Sequence, residues 1–228
     1  MLFHPMDILI FIAFGISIWA QFKVKGNFNK FSDVQCSSQM TGAEVARQLL
    51  DRNGLYDVPV EVVPGALTDH YDPISRVVRL SEPVYYGRSI SAVSVASHEV
   101  GHAIQHKEHY GALVLRHRMF PAVNFTSGIA PFLLIGGFLL QSLNLLGLGI
   151  IFFSFAVAFQ LITLPVEFNA SSRAKNLIVA EGIIRNDEEH GVNKVLNAAA
   201  LTYVAAALIS LFELIKFVLI FFQGQSEE

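Results

Sequence analysis

The sequence predicts a mainly α membrane protein: about four transmembrane helices plus a small cytoplasmic α+β domain. Three observations carry that prediction. The 228 residues are 53% hydrophobic but only 15% charged, where soluble domains average about 25% charged. Mean hydropathy is +0.47. The missing charge is also concentrated, because Met119–Val166 holds no Asp, Glu, Lys, Arg or His.

The first apolar run is Leu2–Phe22, interrupted near its start by His4, Pro5 and Asp7. A span needs about 20 residues, so the run crosses if those three sit at an interface. Trp19 suits an interfacial belt, and Lys23, Lys25 and Lys30 follow. No basic segment precedes the run and no small-residue cleavage site follows, which predicts a retained anchor. Met119–Val166 is too long for one span. It divides into Met119–Leu140 and Leu145–Pro165 around a turn at Gln141–Asn144. Ala198–Phe222 forms the last run; Glu213 and Lys216 interrupt it three residues apart, so either they pair inside the bundle, which is the reading preferred, or the helix leaves the bilayer early.

Four spans leave both termini on one side and the segments Lys23–Arg118 and Glu167–Asn197 on the other. Every Lys and Arg except Lys216 lies in those two segments. The positive-inside rule therefore makes them cytoplasmic and puts the termini outside. The predicted organisation is an N-terminal anchor (1–22), a cytoplasmic domain (23–118), a membrane hairpin (119–165), a cytoplasmic helical segment (166–197) and a C-terminal span with its tail (198–228). Net charge of −3 gives no electrostatic case for nucleic acid. A single cysteine, Cys36, excludes an internal disulfide and a multi-cysteine zinc site, and reads as an ordinary loop residue.

Within 23–118, Thr41-Gly42-Ala43-Glu44 is a capping box that opens a helix ending near Asn53-Gly54. Val58–Val63 reads as a short strand ending at the Pro64-Gly65 turn, and Arg76–Leu80 as a second strand. A helix from near Ser89 to about Gln105 follows, and another can restart after Gly111.

That helix carries His98-Glu99-Val100-Gly101-His102. Imidazoles four apart lie on one face, about 6 Å apart along the axis, so both can reach one zinc ion. Glu99 stands beside them, able to take a proton from a water that the ion activates. A catalytic zinc usually has a third protein ligand. His106 continues the stripe but lies about 12 Å along the axis from His98, too far to share the ion. It reads as a solvated helix residue, as do His109 and His117. Glu167 is the candidate, because the hairpin returns the chain to the side it left. Pro165 can open the helix there, putting Glu167 near its first turn. Ala170, Ser171 and Ala174 share its face and are small enough to admit a second helix. The bland alternatives are histidines that merely face water and an interfacial carboxylate. Arg76–Leu80, just before the helix, could serve as an edge strand that holds an extended peptide.

The combination of HEVGHAIQH, a membrane hairpin and Leu164–Ser171 resembles the YugP-type zinc-dependent membrane metallopeptidases of bacteria and archaea. Thr41–Ala46, Asp69–Pro73, Leu80–Tyr85 and Ala199–Ala206 are similar to that family too, so the likeness covers nearly the whole chain. It implies a gluzincin-like peptidase with a zincin-like domain in the membrane of a prokaryotic cell. Its one catalytic zinc ion would be held by His98, His102 and Glu167, with Glu99 as base. The family carries aspartate more often at position 169, where this chain has Asn169. More distantly the chain resembles the HtpX and Ste24 membrane proteases, whose glutamate motif is ExxxD. Ser171 stands where that aspartate would be, so the histidines need support from elsewhere, for which Asp69 and Asp72 are candidates.

The reaction expected is hydrolysis of a peptide or membrane-protein substrate at the cytoplasmic face of the bilayer. His70, Tyr71 and Arg173 are candidates to steady the tetrahedral oxygen. One competing reading is a metal-binding membrane adaptor without turnover, for which Glu99 would have no use. Another is a site-2-type protease with its HExxH inside a span. Ser89, Ser91, Ser94 and Ser97, with Arg88 and Lys107 flanking, argue against that.

Overall fold

A computed structural model describes residues 4–226. The start of the first apolar run, Leu2 and Phe3, and the end of the tail, Glu227 and Glu228, lie outside the described residues. The chain is mainly helical, in the order α1 (Pro5–Ser32), α2 (Gly42–Arg52), β1 (Val60–Val63), β2 (His70–Asp72), β3 (Val77–Ser81), α3 (Glu82–Tyr85), α4 (Ile90–Lys107), α5 (Gly111–Leu139), α6 (Leu143–Ala180) and α7 (Glu189–Gln225). It divides into two compact units: one of residues up to Trp19, Val114–Pro165 and Thr202 onward, the other of Ala20–Leu113 and Val166–Leu201.

The first unit consists of the apolar lengths of α1, α5, α6 and α7. These four helices are long and apolar enough to cross a membrane. Much of their apolar surface stays uncovered: Phe11, Phe125 and Phe132 are all exposed, as expected where acyl chains are the solvent. A tight turn at Leu140–Ser142 joins α5 to α6, with Ser142 N–H donating to Gly137 O at 2.9 Å. The arms touch at Gly137, where an added Cβ would meet the Leu146 nitrogen at 2.7 Å. Small residues of this kind let membrane helices approach. Phe217 of α7 packs edge-on to Phe153 of α6, ring centroids 5.8 Å apart.

The expected Glu213–Lys216 pair is not what the structure builds. Lys216 Nζ reaches across to Asp7 Oδ1 of α1. One interruption of the first apolar run and one of the last therefore answer each other, which joins the ends of the chain through a charge pair in apolar surroundings.

The second unit is layered around α4. The capping box forms as read: Glu44 N–H donates to Thr41 Oγ1 at 3.2 Å, and Thr41 N–H to Glu44 Oε2 at 2.7 Å. Val45, Ala46, Leu49 and Leu50 of α2 are fully buried, in one core with Val93, Ala96 and Val100 of α4. The sheet order is β1-β3-β2, with β3 parallel to β1 and antiparallel to β2. The edge-strand expectation for Arg76–Leu80 is thus corrected. β3 is paired on both sides, and four of its five residues are buried. Arg76 has φ 53° and belongs to the preceding turn. Both β2 and α3 went unread; β2 is only three residues long and has no apolar alternation.

The serines of α4 face protein rather than water. Ser91 Oγ donates to Phe28 O at 2.8 Å, Ser94 to Ile90 O at 2.7 Å and Ser97 to Val93 O at 2.6 Å. Small hydroxyls that bond backward along the helix let α4 sit in the core with its polar atoms satisfied. Cys36 is in a loop but is fully buried, its thiol against Ile183 O at 3.4 Å.

The Asp7–Lys216 pair yields a cycle. Lys216→Met should lower the thermal midpoint of the protein in nanodiscs by more than the double variant Asp7→Asn/Lys216→Met, because the single change strands a carboxylate among apolar helices. Additive midpoint shifts in differential scanning calorimetry would show that the two side chains do not interact.

Candidate metal centre

Two successive turns of α4 present His98 and His102 side by side, with Nε2 atoms 3.2 Å apart. Glu167 comes from α6. Its Oε2 lies 3.4 Å from His98 Nε2 and 3.5 Å from His102 Nε2. The donor set suits zinc by type and by size. Ligand atoms at 2.0–2.1 Å from a tetrahedral ion stand about 3.3–3.4 Å from each other, and the three edges here measure 3.2, 3.4 and 3.5 Å. Among the described residues this is the group of His, Cys, Asp and Glu that could hold a metal ion.

The helices meet closely enough because of three small residues. A Cβ on Gly101 would fall 2.7 Å from Ala170 O. Ala170 and Ala174 are fully buried. Gly101, between the two histidines, is thus where α6 lies against α4. One local expectation is corrected: α6 runs unbroken through Pro165, so Glu167 sits mid-helix rather than in a first turn. Proline's missing N–H is tolerated where neighbouring helices hold the backbone.

Neither histidine draws support from Asp69 or Asp72. Asp69 accepts from Ser81 N–H at 2.7 Å, and Asp72 pairs with Arg79 at 2.9 Å. Instead His98 Nδ1 hydrogen-bonds with Ser171 Oγ at 3.2 Å, at the position where the ExxxD aspartate would stand. His102 Nδ1 meets Gln105 Oε1 at 3.0 Å.

Gln105 is fully buried, and its orientation is fixed by groups that cannot reverse their roles. Its Nε2 donates to Val166 O at 2.8 Å and to Asn169 Oδ1 at 2.9 Å. Asn169 Oδ1 also accepts from Arg173 Nε at 2.7 Å, and a guanidinium can only donate. Arg173 is anchored in turn by Glu108 at 2.7 Å. The relay runs Arg173, Asn169, Gln105, His102, and leaves Gln105 Oε1 as acceptor. His102 Nδ1 must then carry a proton, so in the neutral imidazole the Nε2 lone pair faces Glu167 and His98. Sequence reasoning missed Gln105 and the job of Asn169. The available signal was an amide three residues after His102, on the side of α4 that faces the core.

Glu99 is buried, and that burial lifts its carboxyl above the usual range; His98 and His102 pull it back, while Asp69 and Glu167 push it further up. Burial opposes charge on His102, but Glu167, Glu99 and Gln105 outweigh it and raise its pKa. Two carboxylates facing two imidazoles in a buried pocket is the charge balance that a divalent cation completes.

The other polar candidates are engaged elsewhere. His106 is half-buried rather than solvated, and its Nδ1 hydrogen-bonds with Tyr71 Oη at 2.8 Å. That contact ties β2 to the end of α4. His70 is exposed, with Nδ1 on Thr68 O at 2.8 Å. Arg173 serves the relay. His109 and His117 stand outside the His98–His102–Glu167 group.

The sequence pattern of a family described as "Putative neutral zinc metallopeptidase" matches residues 6–222. The chain is also similar to the "Putative membrane protease YugP" of Bacillus subtilis (strain 168), at 74% identity over 219 residues, 96% of this chain and 97% of that one. No solved structure matches.

The relay predicts that Gln105→Leu weakens zinc affinity about 10–100-fold, read by competition with a chromophoric chelator. Unchanged affinity in a folded Gln105→Leu protein would show that the amide does not set the imidazole.

Proposed function

This chain belongs to the neutral zinc metallopeptidase family, and on that footing we propose that it is a membrane metalloendopeptidase whose single zinc ion is held by His98, His102 and Glu167, with Glu99 as general base. The observation that carries the reading is the triangle of donor atoms with edges of 3.2, 3.4 and 3.5 Å, made from the two motif histidines and a carboxylate 65 positions further on. A zinc ion bound there supplies Lewis acidity, polarising the scissile carbonyl and lowering the pKa of water.

The chain's own groups do the rest. Gln105 and Ser171 hold the imidazoles on their Nδ1 side, which keeps both Nε2 atoms turned toward Glu167. Glu99 receives the proton of the attacking water and returns it to the leaving amine. Tyr71 stands on β2, one of the two edge strands of the sheet, where the backbone can pair with an extended peptide. That edge takes the part first given to Arg76–Leu80.

The site works at the cytoplasmic edge of the bilayer, in a zincin-like domain formed by 23–118 and 166–197. Two features support this. Glu167 follows the apolar stretch of α6 by two residues, and all the basic residues but Lys216 belong to those two segments. The substrates that fit are peptides and membrane proteins whose cleavable segment reaches the inner surface. The anchor 1–22, the hairpin 119–165 and the final span 198–228 keep the domain there.

In full-length protein, Glu99→Gln should reduce casein hydrolysis about 10²–10⁴-fold while zinc stays bound at one equivalent by atomic absorption. Glu167→Ala should lose both. Hydrolysis that is indifferent to Glu99→Gln would return the protein to the adaptor reading.

A further inference from the structure

Helices α1 and α7 run antiparallel in the second unit, and their contacts step along both. Phe31 packs on Gly191, where a Cβ would meet its ring at 3.0 Å. Asn27 Nδ2 then donates to Lys194 O at 2.8 Å. One turn further toward the apolar sequence the helices leave a cavity of about 330 Å³. Lys23 lines it from α1, and His190, Asn193, Lys194 and Asn197 line it from α7, with Ala198 and Leu201 as its apolar wall.

We propose that this cavity binds the phosphate of an anionic membrane phospholipid. Three features point to that ligand. The lining carries two ammonium groups and two side-chain amides and no carboxylate, so it offers donors to an anion. The two acids that precede His190 in the sequence hold partners outside this lining. Glu189 pairs with Lys175 at 3.3 Å, and Glu188 accepts from Ser37 N–H and Arg185 N–H, both at 2.7 Å.

The third feature is position. The cavity lies where both helices change from polar to apolar sequence, at Phe22-Lys23 on α1 and Asn197-Ala198 on α7. A phospholipid phosphate at that level meets the cations while its glycerol and first acyl carbons lie against Ala198 and Leu201. Free phosphate would gain the same cations but would sit dehydrated against Ala198 and Leu201. Basic pockets between membrane helices on the cytoplasmic side are suited to anionic headgroups, each basic side chain contributing about fivefold in affinity.

The test uses the full chain in phosphatidylcholine nanodiscs doped with phosphatidylglycerol, with retained lipid counted by native mass spectrometry. Wild type should retain phosphatidylglycerol over phosphatidylcholine. Lys23→Gln/Lys194→Gln should weaken that retention about thirtyfold, and Lys23→Arg/Lys194→Arg should keep it. Should the double glutamine variant fail to fold, Lys194→Gln alone, at an exposed position, should give about a fivefold loss. Inorganic phosphate, titrated into protein in neutral detergent, separates the two sources. Weak or no binding of the free ion beside firm retention of the lipid supports the headgroup. Equal binding of the free ion overturns the lipid as its source. Equal retention of both lipids, or a folded glutamine variant that retains like wild type, overturns the site.

Discussion

The approach of α4 to α6 at Gly101 and Ala170 is the constraint on which the rest depends. Glu167 can join His98 and His102 only if the helix backbones come nearly into contact, and only a residue without a Cβ permits that at position 101, between the two histidines. The demand spreads outward. Ala170 and Ala174 must be small, and α4 must lie in the core of its unit. Its serines must satisfy themselves on carbonyls rather than on water. A longer side chain along this seam would move one of the three donor groups by more than the few tenths of an ångström that metal coordination tolerates.

The same seam accounts for how the histidines are held. Gln105 lies on the face of α4 that meets α6, so its amide finds Val166 O and Asn169 within reach. Asp69 and Asp72 are used to cap β3 and to fix the turn before it. A neutral amide and a serine hydroxyl thus orient the imidazoles where an aspartate might have been expected. They add no further negative charge to a pocket that already buries Glu99 and Glu167.

Much of this was legible in the sequence, for reasons that differ by element. The four long apolar helices follow from charge depletion, which needs no tertiary information. The α2 capping box is local chemistry and formed as read. The pairing of HEVGH with Glu167 could be argued because a hairpin returns the chain to the side it left. What stayed hidden depends on partners distant in sequence. Lys216 has Glu213 three residues away, yet the fold supplies Asp7, 209 positions earlier. The Arg76–Leu80 strand has no feature that tells centre from edge, since that depends on where β1 and the unread β2 lie. Gln105 carries no motif at all, and its role exists only once α6 is packed.

The most direct test of the account is the coordination of zinc in the full-length protein by zinc K-edge X-ray absorption. The account predicts two imidazole nitrogens and one carboxylate oxygen as the protein ligands, at about 2.0–2.2 Å, and loss of the carboxylate shell in any Glu167→Gln protein that still retains metal. A shell that lacks imidazole, or one that Glu167→Gln leaves unchanged, would contradict it.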